Sequence, residues 1–261
     1  MTYNGLSNYA PITLAEMSAI RLMNRTDTKF VTTTRQLERL LDMAASQYRV
    51  QEVNGKRVAP YYTVYFDTPD HDMYVRHESG RASRKKLRIR SYVDSQLNFL
   101  EVKTKDNHGK TSKKRIKVED FDPRNPDLHF IDEHYNTDIE VTEFLNRMLP
   151  YKTESLKPML ENRFERITLV NKQKTERLTI DTNLMLRNVE THEKTGLPHV
   201  AIIELKRDGL QPSPILELLR DLRIKQMGFS KYCIGMALTN EGLRSNRLKQ
   251  RIHNIIKLEQ Q

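Results

Sequence analysis

Apolar and polar residues alternate along several stretches of this chain. Lys86-Leu87-Arg88-Ile89-Arg90 places three cations on one side and two aliphatic residues on the other. Phe99-Leu100-Glu101-Val102-Lys103 and Ile202-Ile203-Glu204-Leu205-Lys206 each place a Glu-x-Lys pair in the same way. A strand has a period of two, so each run predicts a strand with a charged face and an apolar face. One such run is an ordinary exposed sheet face. Their repetition predicts a sheet whose polar side is an enclosed cationic surface.

The pattern predicts further strands through Lys29-Phe30-Val31 and over 61–66, 84–93, 97–105, 112–119, 162–170, 176–181, 184–189 and 199–207. Asp106-Asn107-His108-Gly109 suits a hairpin loop, and Asp67-Thr68-Pro69-Asp70 a turn. Helical spacing occurs over 11–23, with Leu14, Met17, Ile20 and Met23 on one side. It recurs after a cap at Thr33 or Thr34, with Leu37, Leu40, Leu41 and Ala44 forming a stripe. A helical insertion is expected over 128–149, with Ile139, Phe144, Leu145 and Met148 as its apolar contacts. A helix from Pro214, striped by Ile215, Leu218, Leu219 and Leu222, is expected to stop at Gly228, with Ser230 capping the next. Strands in the majority, with helices at the ends and in one insertion, predict an α+β domain on an antiparallel sheet or closed barrel. Closure would remove the exposed edges of so many strands.

Charge narrows the partners. The 261 residues carry 44 Lys and Arg against 34 Asp and Glu, a formal net charge of +10. That balance favours nucleic acid, nucleotides, inorganic phosphates or an anionic membrane surface. Cys233 is the sole cysteine, which excludes an intrachain disulfide and a cysteine-rich zinc site; it reads as a small core residue. The eight histidines form no His-x-x-x-His pair. Neither a phosphate-binding glycine loop nor a dinucleotide fingerprint is present, so a nucleotide would be held through its phosphates by side chains. The cations lack the interleaved aromatics of a single-strand nucleic-acid binder, and Tyr61, Tyr62 and Tyr65 read as strand packing. No segment approaches the ~20 apolar residues of a membrane span. The N-terminus has no basic region followed by an apolar run, so a cytoplasmic protein is expected. The run from Arg244 to Arg251 reads as a solvated basic helix, with an anionic membrane or acidic partner as its second reading.

The strands' polar faces gather the chemistry. Arg25, Asp27 and Lys29 alternate in one run, as do Lys86, Arg88 and Arg90 in the next. Glu101, Lys103 and Lys105 follow, then Lys113, Arg115 and Lys117, then Arg177, Thr179 and Asp181, then Glu204 and Lys206. Arg166 shares a face with Phe164. Convergence inside a barrel would crowd about a dozen cations, and like charges at ~4 Å repel by ~4 kcal/mol at an effective dielectric of about 20. A chain of phosphates would relieve that, with Arg bidentate and Lys a point charge. Glu101 and Asp181 are as well explained by pairing with neighbouring cations as by a metal. Glu204 is the better metal ligand, because it lies in the most apolar strand. Mg2+ or Mn2+ commonly binds through one or two carboxylates and substrate phosphate oxygens.

Asn24-Arg25-Thr26-Asp27-Thr28-Lys29-Phe30, Leu87-Arg88-Ile89-Arg90, Phe99-Leu100-Glu101-Val102-Lys103, Phe164-Glu165-Arg166, Arg177-Leu178-Thr179-Ile180-Asp181, Ile203-Glu204-Leu205-Lys206 and Ser230-Lys231-Tyr232 stand in an order that resembles the VTC domain. That is the polyphosphate polymerase domain of the vacuolar transporter chaperone complex and its bacterial relatives, in the triphosphate tunnel metalloenzyme superfamily. The resemblance runs from roughly residue 9 to 240 of a single domain, leaving 241–261 as a basic helical tail. It implies an eight-stranded antiparallel barrel, the triphosphate tunnel, with flanking helices. It implies Lys29, Arg88, Arg90, Lys103, Arg166 and Lys206 as the catalytic wall. Arg25, Lys113, Arg115, Arg177 and Lys231 would contact triphosphate or the growing chain, although a one-residue slip around Lys113-Lys114-Arg115 would reverse which side chains face inward. Glu204 would hold Mn2+ or Mg2+, with Glu101 as a second metal candidate.

Two departures from the family pattern matter. The usual Tyr before x-Arg is Phe164 here, which removes a hydroxyl contact. Hydrolytic tunnel enzymes open with Glu-x-Glu-x-Lys, whereas Arg25-Thr26-Asp27-Thr28-Lys29 begins with a cation and shortens the second acid. That leans toward phosphate, not water, as acceptor. The expected activity is metal-dependent transfer of the γ-phosphoryl of ATP to a polyphosphate chain. A metal-dependent triphosphatase and a non-catalytic polyphosphate-binding module are the alternatives. The expected partners are ATP and polyphosphate or triphosphate, no specific nucleic acid, with room for a membrane-protein partner.

Overall fold

The runs over 84–93, 97–105, 112–119 and 199–207 become strands within one residue of those bounds, while the one over 162–170 begins five residues earlier, at Lys157. A computed structural model describes residues 3–18, 20, 25–209 and 212–261, with only the backbone of Asn4, Ser18 and Arg25. Its strands, in chain order, are β1 (Ala10–Ile12), β2 (Arg25–Thr33), β3 (Tyr48–Gln51), β4 (Ala59–Asp67), β5 (Arg84–Tyr92), β6 (Leu97–Lys105), β7 (Thr111–Val118), β8 (Lys157–Asn171), β9 (Glu176–Asn188), β10 (Lys194–Leu197) and β11 (Val200–Asp208). Eight of them run as one antiparallel path, β2-β11-β9-β8-β4-β5-β6-β7, with β1, β3 and β10 attached beside it. Among the described residues β2 and β7 are not hydrogen-bonded to each other, so the expected barrel is a strongly curved sheet with an unpaired seam. The curvature still brings Asp27 and Lys29 of β2 and Thr111 and Lys113 of β7 to one cavity.

Helices cover the outside. They are α1 (Leu14–Ser18), α2 (Thr34–Ala44), α3 (Asp72–Glu78), α4 (Phe130–His134), α5 (Ile139–Met148), α6 (Pro214–Asp221), α7 (Lys231–Thr239) and α8 (Lys249–Glu259). Thr33 caps α2 by accepting from the Gln36 N–H, and the stripe Leu37, Leu40, Leu41 packs with α6 on Leu178, Ile180, Ile203 and Leu205. α4 and α5 pack Phe130, Phe144 and Leu145 on Val64, Leu87, Ile89, Leu100 and Val102. The apolar faces of the strands therefore point outward beneath helices. The charged faces are left pointing in.

α7 enters from one end and packs Cys233, Ile234 and Met236 among Leu160, Leu184 and Leu186. Gly235 permits this approach, since a Cβ there would lie 2.4 Å from Leu160 Cδ2. Ser230 caps α7 by accepting from the Cys233 N–H, as its position suggested. Buried Cys233 has its thiol pushed up by burial, consistent with a packing role.

Several expectations are corrected. The 11–23 helix shrinks to α1, because residues 10–12 pair with β3; residues 19 and 21–23 lie outside the described residues. The insertion is two short helices, and Ile139, at the start of α5, is 77% exposed. The strands expected at 176–181 and 184–189 are one strand, interrupted by an irregularity opposite Arg163 and Glu165, with Asn183 at φ 51°. α6 ends at Asp221, not Gly228, and left-handed Arg223 follows at φ 56°. β1, β3 and β10 have no counterpart among the expected strands. The basic tail is not a free solvated helix: Arg244 to Leu248 form turns docked on α3, with the Arg247 N–H donating to Glu78 Oε1 at 2.9 Å. α8 then buries Ile255 in the α7 core.

Candidate active site

Ten Lys and Arg side chains and three carboxylates line a cavity of about 380 Å³ inside the curved sheet. β5 supplies Lys86, Arg88 and Arg90 from its inward face. Lys29 comes from β2, Lys103 from β6, Lys113 from β7, Arg166 from β8, Arg177 from β9, Lys206 from β11 and Lys231 from the first turn of α7. Period-two alternation brings the nine strand cations to one space, and the start of α7 adds Lys231. Of the remaining residues singled out in the sequence, Arg115 lies outside the cavity lining, its guanidinium 4.0 Å above the Phe99 ring with Nη1 4.0 Å from Glu101 Oε1. Arg25 opens β2, and its side chain lies outside the described residues.

The lining carboxylates are Asp27, Asp181 and Glu204; Asp181, and Glu101 buried outside the lining, are fully engaged with the wall's cations. Asp181 accepts from Arg166 Nε at 2.6 Å and Nη2 at 2.8 Å, and also from Lys231 Nζ. Burial pushes Asp181 up, but Arg166 and Lys231 outweigh it and hold the carboxyl far below its ordinary value. Glu101 is 1% exposed and accepts from Arg88 Nη2 at 2.6 Å and Lys113 Nζ at 2.8 Å. Burial again opposes ionisation, and Arg88, Arg90 and Lys113 bring the Glu101 pKa down to about 2.

Glu204 is less occupied. Lys206 Nζ lies 3.0 Å from its Oε2, while Oε1 has Lys29 Nζ at 3.8 Å. Burial raises its pKa, and Lys206 and Lys29 overcome that to keep it ionised. A carboxylate with one loosely held oxygen facing the cavity fits a divalent ion that also takes phosphate oxygens. Glu101, with both oxygens bonded to cations, fits less well. Among the described residues the only grouping of three potential ligands is Asp127, Glu133 and His134, in the helical insertion and outside the cavity lining.

The cations carry a cost that burial makes visible. Lys86, Lys103 and Lys231 each have the ammonium pKa lowered to about 8, by burial first. Lys29 and Arg88 add repulsion at Lys86 and Lys103, and Arg166 does so at Lys231. Arg90 is lowered by burial and then by Arg88 and Arg166; it approaches Thr63 Oγ1 at 3.5 Å and, among the described residues, has no carboxylate partner. An anion threaded here would be met by pre-positioned donors.

Lys86 was on the predicted polar face but received no role; it donates to Ser230 Oγ at 2.8 Å, tying β5 to the cap of α7. Its spacing from Arg88 was the available signal. Tyr65 lines the cavity and stacks on Tyr232 with ring centroids 5.2 Å apart. Its phenol pKa, raised by burial, is brought below the ordinary value by Arg88, Arg90 and Lys231. Phe164 and Arg166 do share the inward face: Lys231 Nζ sits 4.2 Å over the Phe164 ring, and Arg166 5.3 Å from it.

Comparison with known proteins agrees with this architecture. No curated protein matches the sequence. A candidate adenylate cyclase from Bacillus halodurans superposes with a TM-score of 0.52 at 14% identity, covering 80% of this chain and 96% of that one. A candidate adenylyl cyclase from Hippeastrum with dominant triphosphatase activity superposes with a TM-score of 0.50 at 15% identity, covering 83% and 97%. At these identities the likeness is one of fold, and the fold is the triphosphate tunnel. The family model described as the VTC domain matches residues 24–240, which includes every strand of the cationic wall. With most of its length matched and its charged strand faces turned into a tunnel, this chain belongs to the VTC domain family.

Proposed function

We propose that this protein is a polyphosphate polymerase that moves the γ-phosphoryl group of ATP onto a phosphate chain inside the tunnel. The observation that carries the reading is the imbalance of ten cations against three carboxylates, Asp27, Asp181 and Glu204, around a cavity of about 380 Å³, with Asp181 paired to Arg166 and Glu204 to Lys206. Such a site favours a polyanion at both the donor and acceptor positions. Arg88, Arg90 and Arg166 would hold equatorial oxygens of the transferred group, and Lys29, Lys103, Lys206 and Lys231 would neutralise the adjacent phosphates. The bond from the γ-phosphorus to the β-bridging oxygen breaks, a terminal oxygen of the acceptor phosphate forms the new P–O bond, and ADP leaves. Glu204 would hold Mn2+ or Mg2+ against the phosphates, and the ion would supply further neutralisation of charge there. Lys113, Arg177 and Arg25 would guide the chain beyond the reacting phosphates.

Water is the competing acceptor, and the site is poor in groups to orient it. Asp181 and Glu101 are committed to cations and position 25 is an arginine, which leaves Asp27 and Glu204 as the acids of the lining. Use of ATP fits a cytoplasmic location. No helix among the described residues is long and apolar enough to cross a membrane. A partner in the membrane would be needed for any export of the product.

The test is to supply γ-labelled ATP with manganese and measure label in polyphosphate against label in free phosphate. Label accumulating in a polymer ladder is expected. Release of nearly all label as free phosphate would make the protein a triphosphatase, and absence of turnover would leave a binding module.

A further inference from the structure

The tunnel widens at one end into a second cavity of about 960 Å³, continuous with the first through Lys29, Lys86, Lys103 and Lys113. Its outer rim comes from three separate parts of the chain. Arg84 begins β5, Lys105 and Lys110 flank the β6–β7 hairpin, and Arg251 projects from α8. α8 lies beyond residue 240, outside the family match, yet Leu248 and Ile255 bury against the α7 core and fix it there. Arg251 is thereby held over Gly228, where even an added Cβ would meet its guanidinium only in ordinary van der Waals contact, 3.8 Å from Cζ.

The rim differs from the inner wall in its pairing. Inside, Arg88, Arg166, Lys206 and Lys231 are already matched with the protein's own carboxylates. Among the described residues Lys105, Lys110 and Arg251 have no carboxylate within ion-pair distance. Among the described residues Asp27 is the one carboxylate lining the vestibule. Isolated surface lysines are ordinary, but four rim cations around a concavity some two and a half times the volume of the inner cavity form a focused positive potential. A ligand confined to the inner cavity would not reach them.

We propose that this vestibule is a second binding section for the same polyanion, holding phosphates of a chain several units beyond the reacting ones, with Arg251 of α8 as part of it. The polyphosphate reading above names the polyanion; the vestibule itself rests on its own geometry. Its cations would grip length and not the reacting triphosphate, so they would set chain retention without touching the transferred group.

Equilibrium binding without ATP tests this. The full chain and a Lys105→Ala/Lys110→Ala/Arg251→Ala variant are titrated with inorganic tripolyphosphate, with long-chain polyphosphate and with a single-stranded oligonucleotide of equal charge. The variant should bind long-chain polyphosphate roughly tenfold more weakly with a shallower salt dependence, bind tripolyphosphate unchanged, and melt at the wild-type temperature. Arg251→Lys, combined with the other two native lysines, should retain long-chain affinity. Equal loss for tripolyphosphate and long chain, no loss for either, or an oligonucleotide loss as large as that for polyphosphate would overturn the proposal. Because no turnover is measured, a protein that makes no polymer but shows the length-selective loss would lose the polymerase reading and keep the vestibule.

Discussion

Arg166 and Asp181 face each other across the β8–β9 pair and meet through two parallel hydrogen bonds of 2.6 and 2.8 Å. The guanidinium fork is thus occupied by a carboxylate before any phosphate arrives. Lys231 shares the same carboxylate, so one acid positions two cations from different elements. Asp181 is best understood as the internal counter-ion that orients Arg166 for a substrate.

Replacing it tests that role. Asp181→Asn should cost the empty protein roughly 3–5 kcal/mol, because two buried cations lose their partner. Tripolyphosphate should then raise the melting temperature of the variant by more than it raises the wild type's. A smaller ligand-induced shift in the variant would show that Asp181 acts in substrate binding by some other route.

Arg88 and Arg90 are neighbours on one face with opposite standing in the empty site. Arg88 is bonded to Glu101, so Arg88→Met should destabilise the apo protein by about 2 kcal/mol, the loss of charge-assisted hydrogen bonds from an acid that keeps Lys113. Arg90 has no carboxylate partner among the described residues and is repelled by Arg88 and Arg166. Arg90→Met should therefore stabilise the apo protein by roughly 1 kcal/mol. Both should depress turnover strongly. Chemical denaturation of the two variants side by side decides it, and shifts of the same sign would refute the distinction.

Glu204→Gln keeps the shape and removes the charge. Turnover with limiting manganese should fall by at least roughly a hundredfold, on the order of the loss of a group that touches the reacting charges. Metal-free binding of tripolyphosphate should hold or tighten, since the site becomes more positive. Near-normal activity in the folded variant would remove Glu204 from the metal site.

The lysines give a pH signature. Lys86, Lys103 and Lys231 sit near 8 in the folded state against an ordinary value of 10.5. Between those values the unfolded chain binds more protons than the folded one, so apo stability should rise with pH across that window. Below about 8 all three are charged in both states, and the full repulsion is felt. A bound phosphate chain favours the charged amines, so binding at about pH 8.5 should take up protons and weaken as pH rises. Calorimetry in two buffers of different ionisation enthalpy measures the uptake; none at that pH would count against these lysines as ligands.

Much of this is legible in the sequence. The period-two runs located β5, β6 and β11 and the identity of nearly every inward cation, because alternation is a local property that the sheet preserves. What escaped was set by contacts distant in sequence. Nothing near Glu101 says that Arg88 and Lys113 will claim both its oxygens, since one partner comes from each neighbouring strand. Lys86 acquired its role only when Ser230, 144 positions later, came to meet it. Ile139 was assigned to a buried face by helical spacing, but α5 begins at that residue and leaves it in solvent. The docking of the basic tail was likewise invisible, because Glu78 and the α7 core lie far away in the chain.

Asn183 gives β9 two reading frames. Before it the odd-numbered residues Arg177, Thr179 and Asp181 face the cavity; after it the even-numbered Leu184 and Leu186 take the inner side, against α7. One continuous strand thereby changes trade midway, from holding charge to holding a hydrophobic plug. Loss of a single residue here would be a frameshift in three dimensions, turning either the charged half or the greasy half of the strand inside out while leaving every other residue in the chain as it was.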